Sequence, residues 1–134
     1  HNALKDKHEV TAITRQDFDL TAVEAMINFF DGKYFDVVLH CAVMGGSRLK
    51  EDSWDVMDIN LCMYYNLLQC SPHYKKLISF GSGAELYTQN TPYGLSKYVI
   101  RQSILEKENF YNLRIFAVFD ENELNTRFIK TNIK

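Results

Sequence analysis

The sequence predicts an α/β protein built on a doubly wound parallel sheet with helices on both faces. Two observations carry this. Apolar or β-branched runs alternate with amphipathic helical stretches along the chain, and the short joints between them demand crossover connections. The run 35–41 (F-D-V-V-L-H-C) is apolar almost throughout, as suits a strand covered on both faces of a parallel sheet. At 134 residues the chain makes one domain, 1–134, with a sizeable core and no room for a second.

The elements follow in order. Residues 2–7 have the look of the last turn of a helix with no cap at its beginning. Residues 8–15 (H-E-V-T-A-I-T-R) are β-branched and alternating, which predicts a strand. Thr21 is the expected N-cap of a helix over 22–30, with Val23, Met26, Ile27 and Phe30 on its apolar stripe and Asp31-Gly32-Lys33 as its stop. After the strand 35–41 and a loop through Gly45-Gly46, Asp52 or Ser53 caps a helix over 54–69. Trp54, Met57, Leu61, Tyr64, Tyr65 and Leu68 recur along it at three- and four-residue intervals, until Ser71-Pro72 breaks it. A strand over 76–80, a helix over 92–108, a strand over 112–119 and a helical tail over 123–134 complete the alternation.

Composition narrows the function. A net charge of −2 predicts neither a nucleic-acid partner nor a membrane surface. No apolar run reaches the roughly 20 residues that span a bilayer, and the polar N-terminal stretch is unlike a signal peptide. Cys41, Cys62 and Cys70 are odd in number and lack C-x-x-C spacing. They predict reduced, mostly buried thiols in a cytoplasmic protein, with no disulfide or metal framework.

The chemistry concentrates in 78–97, I-S-F-G-S-G-A-E-L-Y-T-Q-N-T-P-Y-G-L-S-K. An apolar strand ends in Gly81-Ser82-Gly83, and a helix opens at Tyr93-Gly-Leu-Ser-Lys97. Tyr93 and Lys97 stand four apart and so share one helix face. An ammonium a few Å from a phenol favours the phenolate, which suits a group that trades protons with an alcohol or ketone near neutral pH. A surface Tyr/Lys pair is the commonest origin of Y-x-x-x-K; the order of strand, G-S-G turn, Thr91-Pro92 and Y-G-L-S-K sets this one apart.

This ensemble resembles the extended branch of the short-chain dehydrogenase/reductase superfamily, the NAD(P)-dependent nucleotide-sugar epimerases, dehydratases and reductases. The resemblance implies a Rossmann-type fold. It also implies a catalytic trio in which Tyr93 is the acid/base, Lys97 supports it and holds the nicotinamide ribose, and Ser82 orients the substrate oxygen, with Ser79 the weaker alternative. The joint from Ser82 to Tyr93, ten residues, is shorter than the family's usual loop. For the cofactor, Arg15 occupies a place where an acidic residue favours NAD; an arginine there suits a 2′-phosphate and hence NADP, with NAD the alternative. Asp19-Leu20 matches the family's adenine contact, and Ala42-Val43-Met44 the backbone beside the nicotinamide ribose. Asn60 resembles a residue of the family helix after the fourth strand, and His40 resembles the family's V-I-H-x-A-A, where a core histidine is the plainer reading. H-C-A-V-M-G-G-S is similar to the A-A-x-V-G-G of GDP-fucose-synthase-like enzymes. Those carry a cysteine two positions beyond the serine where this chain has Ala84, which argues against 3,5-epimerisation by that route. Asn125 to Phe128 fall where the family begins its sugar-nucleotide contacts.

No G-x-x-G-x-x-G stands upstream of His8, and the family's members run to about twice this length. The resemblance therefore implies a fold incomplete at both ends, matching the family's middle. The expected function is hydride transfer at a sugar carbon of a nucleotide-sugar, in a homodimer formed through the helices 54–69 and 92–108. The alternative is a non-catalytic Rossmann-fold regulatory or scaffold subunit of the same superfamily.

Overall fold

The computed structural model describes residues 4–47 and 50–116. Its elements run α1 (Val23–Phe30), β1 (Phe35–His40), α2 (Asp55–Gln69), a 3-10 turn (Ser71–His73), β2 (Tyr74–Ser82), α3 (Ala84–Tyr87), α4 (Pro92–Leu105) and β3 (Phe110–Ile115). The three strands are parallel in the order β1-β2-β3, with His40 beside Ser79 and Ser79 beside Asn112. Each crossover is helical, as the alternation requires. All three strands therefore finish at one edge of the sheet, and the loops that follow β1 and β2 meet there.

The core lies between the sheet and one helical layer. Met26 and Phe30 of α1, Tyr64 and Leu67 of α2, Leu77 of β2 and Ile100 of α4 are at most 4% exposed. The opposite face carries Val37, Leu39, Tyr111, Leu113 and Ile115, which are 40–49% exposed. No described helix covers that face. The apolar run of β1 is thus buried on one side only, and among the described residues β1 is an edge strand.

Several expectations are corrected. Residues 9–14 join no sheet: without a ladder partner among the described residues, β propensity alone does not make a strand. Leu4 accepts from the backbone N–H groups of Lys7 and His8, a single turn and not a helix end. Thr21 does not cap α1; its hydroxyl and N–H both donate to Asp19 Oδ1, and Ala22 holds the cap position. Ile27 is 48% exposed, and Phe29 packs against the core in its place. Trp54, not Asp52 or Ser53, precedes α2, because Asp52 accepts from Gly46 N and Ser53 donates to Asp55. The buried stripe of α2 runs through Val56, Asn60, Met63, Tyr64 and Leu67, so only Tyr64 of the expected stripe is fully buried. Two inward asparagines, Asn60 and Asn66, hide the true face from a reading of apolar periodicity. β2 is longer than expected at both ends, α4 ends three residues early, and α3 was not anticipated. β3 begins at Phe110, two residues before its expected start. Cys41 is exposed, contrary to the expectation of mostly buried thiols. The tail over 123–134, including Asn125 to Phe128, lies outside the described residues.

Candidate functional site

Ser82 is the last residue of β2, and its side chain accepts from Ala84 N at 3.2 Å, which closes the turn into α3. Thr91 then caps α4: its Oγ1 accepts from Gly94 N at 3.1 Å, and Pro92 sits in the first helical turn, where no N–H is needed. Tyr93 and Lys97 therefore rise from the first turns of a well-capped helix. Lys97 is 8% exposed, and its Nζ donates to Phe80 O at 2.7 Å while lying 5.7 Å from the centre of the Tyr93 ring. The sequence pair is thus a spatial pair, with the ammonium anchored on the end of β2.

The loop after β1 lies against the Tyr93 ring. Gly45 and Gly46 both have positive φ, 78° and 75°. A Cβ on Gly46 would lie 2.8 Å from Tyr93 Cζ, so only glycine lets the backbone approach the ring this closely. Asn60 holds the loop from α2. Its Oδ1 accepts from Met44 N at 2.8 Å, and its Nδ2 donates to Met44 O at 3.0 Å and to Ser96 Oγ at 3.2 Å. One buried amide thereby ties the loop Ala42-Val43-Met44 to α4, next to the Tyr93/Lys97 pair. Val43 and Met44 stay 47% and 39% exposed beside it.

The electrostatics follow from burial. Lys97 has its pKa pushed down by desolvation, and the Glu85 carboxylate acts the other way. His40, at the end of β1, is pushed down to about 4 by burial, with the Lys97 ammonium adding to the effect. Both of its ring nitrogens are buried without a hydrogen-bond partner. Ser79 is 2% exposed in the middle of β2, beneath the helical layer, whereas Ser82 stands at the open edge. The geometry places Ser82 as the more accessible of the two serines.

The other candidates stand apart from this pair. Arg15 is exposed in the turn before α1. The Asp19 carboxylate accepts both bonds from Thr21, which hold its pKa below the usual carboxylate range. Leu20 O accepts from Asn66 Nδ2 at 2.9 Å, so this segment is fastened to α2. The pattern reading missed Glu85, which is fully buried against β3. Its only signal in the sequence is an acidic residue just beyond a strand-ending G-S-G.

A nicotinamide end fits the residues present. An unpartnered buried imidazole, a buried ammonium and the half-exposed loop residues Val43 and Met44 converge where strands β1 and β2 end, the position at which open α/β sheets hold ligands.

The comparisons bear on family and fold. The model of the NAD dependent epimerase/dehydratase family matches residues 1–134. A GDP-6-OMe-4-keto-L-xylo-heptose reductase from C. jejuni superposes with a TM-score of 0.76 at 20% identity, over 88% of this chain and 42% of the other. Pen from Bacillus thuringiensis gives 0.60 at 15% identity, over 84% and 36%. A GDP-L-fucose synthetase from Naegleria fowleri bound to NADP gives 0.57 at 17% identity, over 86% and 47%. At such identities the likeness is one of fold, and the chain spans less than half the length of each neighbour. No curated protein matches the sequence significantly.

Proposed function

Because the chain belongs to the NAD dependent epimerase/dehydratase family, we propose that it is the dinucleotide-binding core of an enzyme that moves a hydride at a sugar carbon of a nucleotide-sugar. The observation that carries this is the Tyr93/Lys97 pair, with Lys97 anchored on the end of β2 and Gly46 of the loop against the Tyr93 ring. When bound, a nicotinamide dinucleotide supplies or accepts the hydride. The chain's own residues handle position and protons. Tyr93 Oη gives a proton to, or takes one from, the sugar oxygen, and the Ser82 hydroxyl hydrogen-bonds the same oxygen. Lys97 and the backbone of Ala42, Val43 and Met44 hold the ribose next to the nicotinamide. Arg15, Asp19 and Leu20 receive the adenosine end, and the exposed Arg15 guanidinium supports NADP over NAD. Trp54, just before α2, and Tyr65 on it, 60% and 44% exposed, support a homodimer through α2 and α4.

The test is deuteride transfer from 4-deuterated NADPH or NADH to a panel of 4-keto nucleotide-sugars, read by mass spectrometry of the sugar. Label in the sugar, lost in Tyr93→Phe, is the expected result. Dinucleotide binding with no label in any sugar would overturn the enzyme reading in favour of a non-catalytic scaffold.

A further inference from the structure

A cavity of about 350 Å³ lies between the second half of α4 and β3, and no residue of the Tyr93/Lys97 site lines it. Arg101, Lys107 and Arg114 bring three cations to its wall, and Ile104, Leu105 and Phe110 supply the apolar part. No carboxylate lines it: Glu106 and Glu108, the sequence neighbours of Lys107, are exposed and form no part of the wall. Both arginines lean on Glu85 of α3, which is 0% exposed. Arg114 Nε donates to Glu85 Oε1 at 2.5 Å, and Arg101 Nε stands 3.8 Å from the same oxygen. Asn112 Nδ2 donates to the carboxylate at 3.2 Å. Gly81 makes the room for this acid, since a Cβ there would lie 2.6 Å from Glu85 Oε2.

Each arginine meets the carboxylate through Nε, the inner nitrogen of its guanidinium. Among the described residues, none accepts a hydrogen bond from the Nη atoms of either arginine or from Lys107 Nζ, and the two arginine side chains are 27% and 29% exposed. Tying α3 to β3 asks for one guanidinium on this acid, and Arg114 already fills that place. Arg101 sets a second cation beside the first without a hydrogen bond to the acid, and Lys107 adds a third. One carboxylate offsets one of the three, which leaves an excess of two positive charges on a small concave surface. We propose that this cavity is a binding site for a phosphate group, held by Arg101, Arg114 and Lys107. Guanidinium forks match pairs of phosphate oxygens and an ammonium adds a point charge. A phosphate monoester carries about −1.5 to −2 at pH 7, which meets the excess, whereas a carboxylate would offset only half of it. Ile104, Leu105 and Phe110 leave an apolar wall for the carbon group of an ester. The site is independent of the hydride-transfer reading.

The experiment follows the backbone amide and arginine Nε–Hε NMR signals of the labelled chain during titration with sodium phosphate, with phenyl phosphate, and with sodium chloride at matched ionic strength. Saturating shifts at Arg101, Lys107, Asn112 and Arg114 with both phosphates, and not with chloride, are the expected result. Tighter binding of phenyl phosphate assigns an ester as the ligand and equal affinity assigns inorganic phosphate; either supports the site. Shifts that chloride reproduces, or that never saturate, overturn it. Arg101→Gln leaves the Arg114–Glu85 hydrogen bond in place and weakens phosphate binding about tenfold. Lys107→Gln, at an exposed position that does not threaten folding, weakens it about threefold. Wild-type affinity in both variants would overturn the proposal and leave the arginines with a structural task alone. Wild-type affinity in Lys107→Gln would do the same should Arg101→Gln not fold. The readout involves no dinucleotide and no hydride, so this reading and the enzyme reading stand or fall separately.

Discussion

His40 carries the clearest pH dependence among the described residues. Its ordinary pKa is 6.5 and burial takes the folded value to about 4. Between those values the unfolded chain binds a proton that the folded chain refuses, so stability is complete above about pH 6.5 and is lost as the pH falls towards 4. At pH 4 the loss is on the order of 3 kcal/mol. Urea unfolding at a series of pH values from 7 down to 4 measures it, and His40→Leu flattens the curve in that window; an equally steep decline in the variant would remove His40 as its cause. Asn60 is the other residue whose role is structural and specific. Asn60→Leu deprives Met44 of both backbone partners and costs about 1–3 kcal/mol by chemical denaturation, with raised hydrogen exchange at Met44 as the local sign. Unchanged exchange there would show that the loop is held by something else. That Tyr93 and Lys97 form a spatial pair was legible because i, i+4 spacing maps directly onto helix geometry. Asn60 was legible only as a resemblance, and Glu85 not at all, since its partners Asn112 and Arg114 lie 27 and 29 residues further along the chain.

At the scale of elements, α4 is the piece whose start matters most. Thr91 caps it, and Tyr93 follows two residues later, so the cap sets where the phenol begins. Thr91→Ala removes the acceptor for Gly94 N and costs about 1 kcal/mol of stability, visible as a lowered urea midpoint. A neutral effect would mean that Pro92 and the α3 contact suffice to start the helix. The strands β1, β2 and β3 and the helices α1, α2 and α4 were legible as elements, though the face that α2 turns inward was not. Their caps were less so. Thr21, Asp52 and Ser53 are sound capping types, yet each spends its side chain or takes part in a turn before the helix begins. The segment 9–14 shows the remaining limit: strand formation needs a partner, and propensity does not say whether one is present.

At the scale of the molecule, the described helices cover one face of the sheet and none of them covers the other. Val37 and Leu39 on β1 with Tyr111, Leu113 and Ile115 on β3 form an exposed apolar surface of the kind that binds hydrophobic dyes or self-associates. The chain expressed as it stands is expected to bind ANS and to show concentration-dependent sedimentation. Leu39→Lys with Leu113→Lys lowers both while leaving thermal stability within about 0.5 kcal/mol; a large loss of stability would mean that the face is packed in solution. The alternation of elements foretold the parallel sheet but not the open face, because an apolar strand looks the same in sequence whichever of its faces is covered.

The most direct test of the account is an amide NMR titration of this chain with NADPH, carried to millimolar concentration. The account predicts shifts that cluster at Ala42, Val43, Met44, Ser82, Tyr93 and Lys97, with further shifts around Arg15. Spectra that stay unchanged, or shifts confined to a surface away from the ends of β1 and β2, would contradict it.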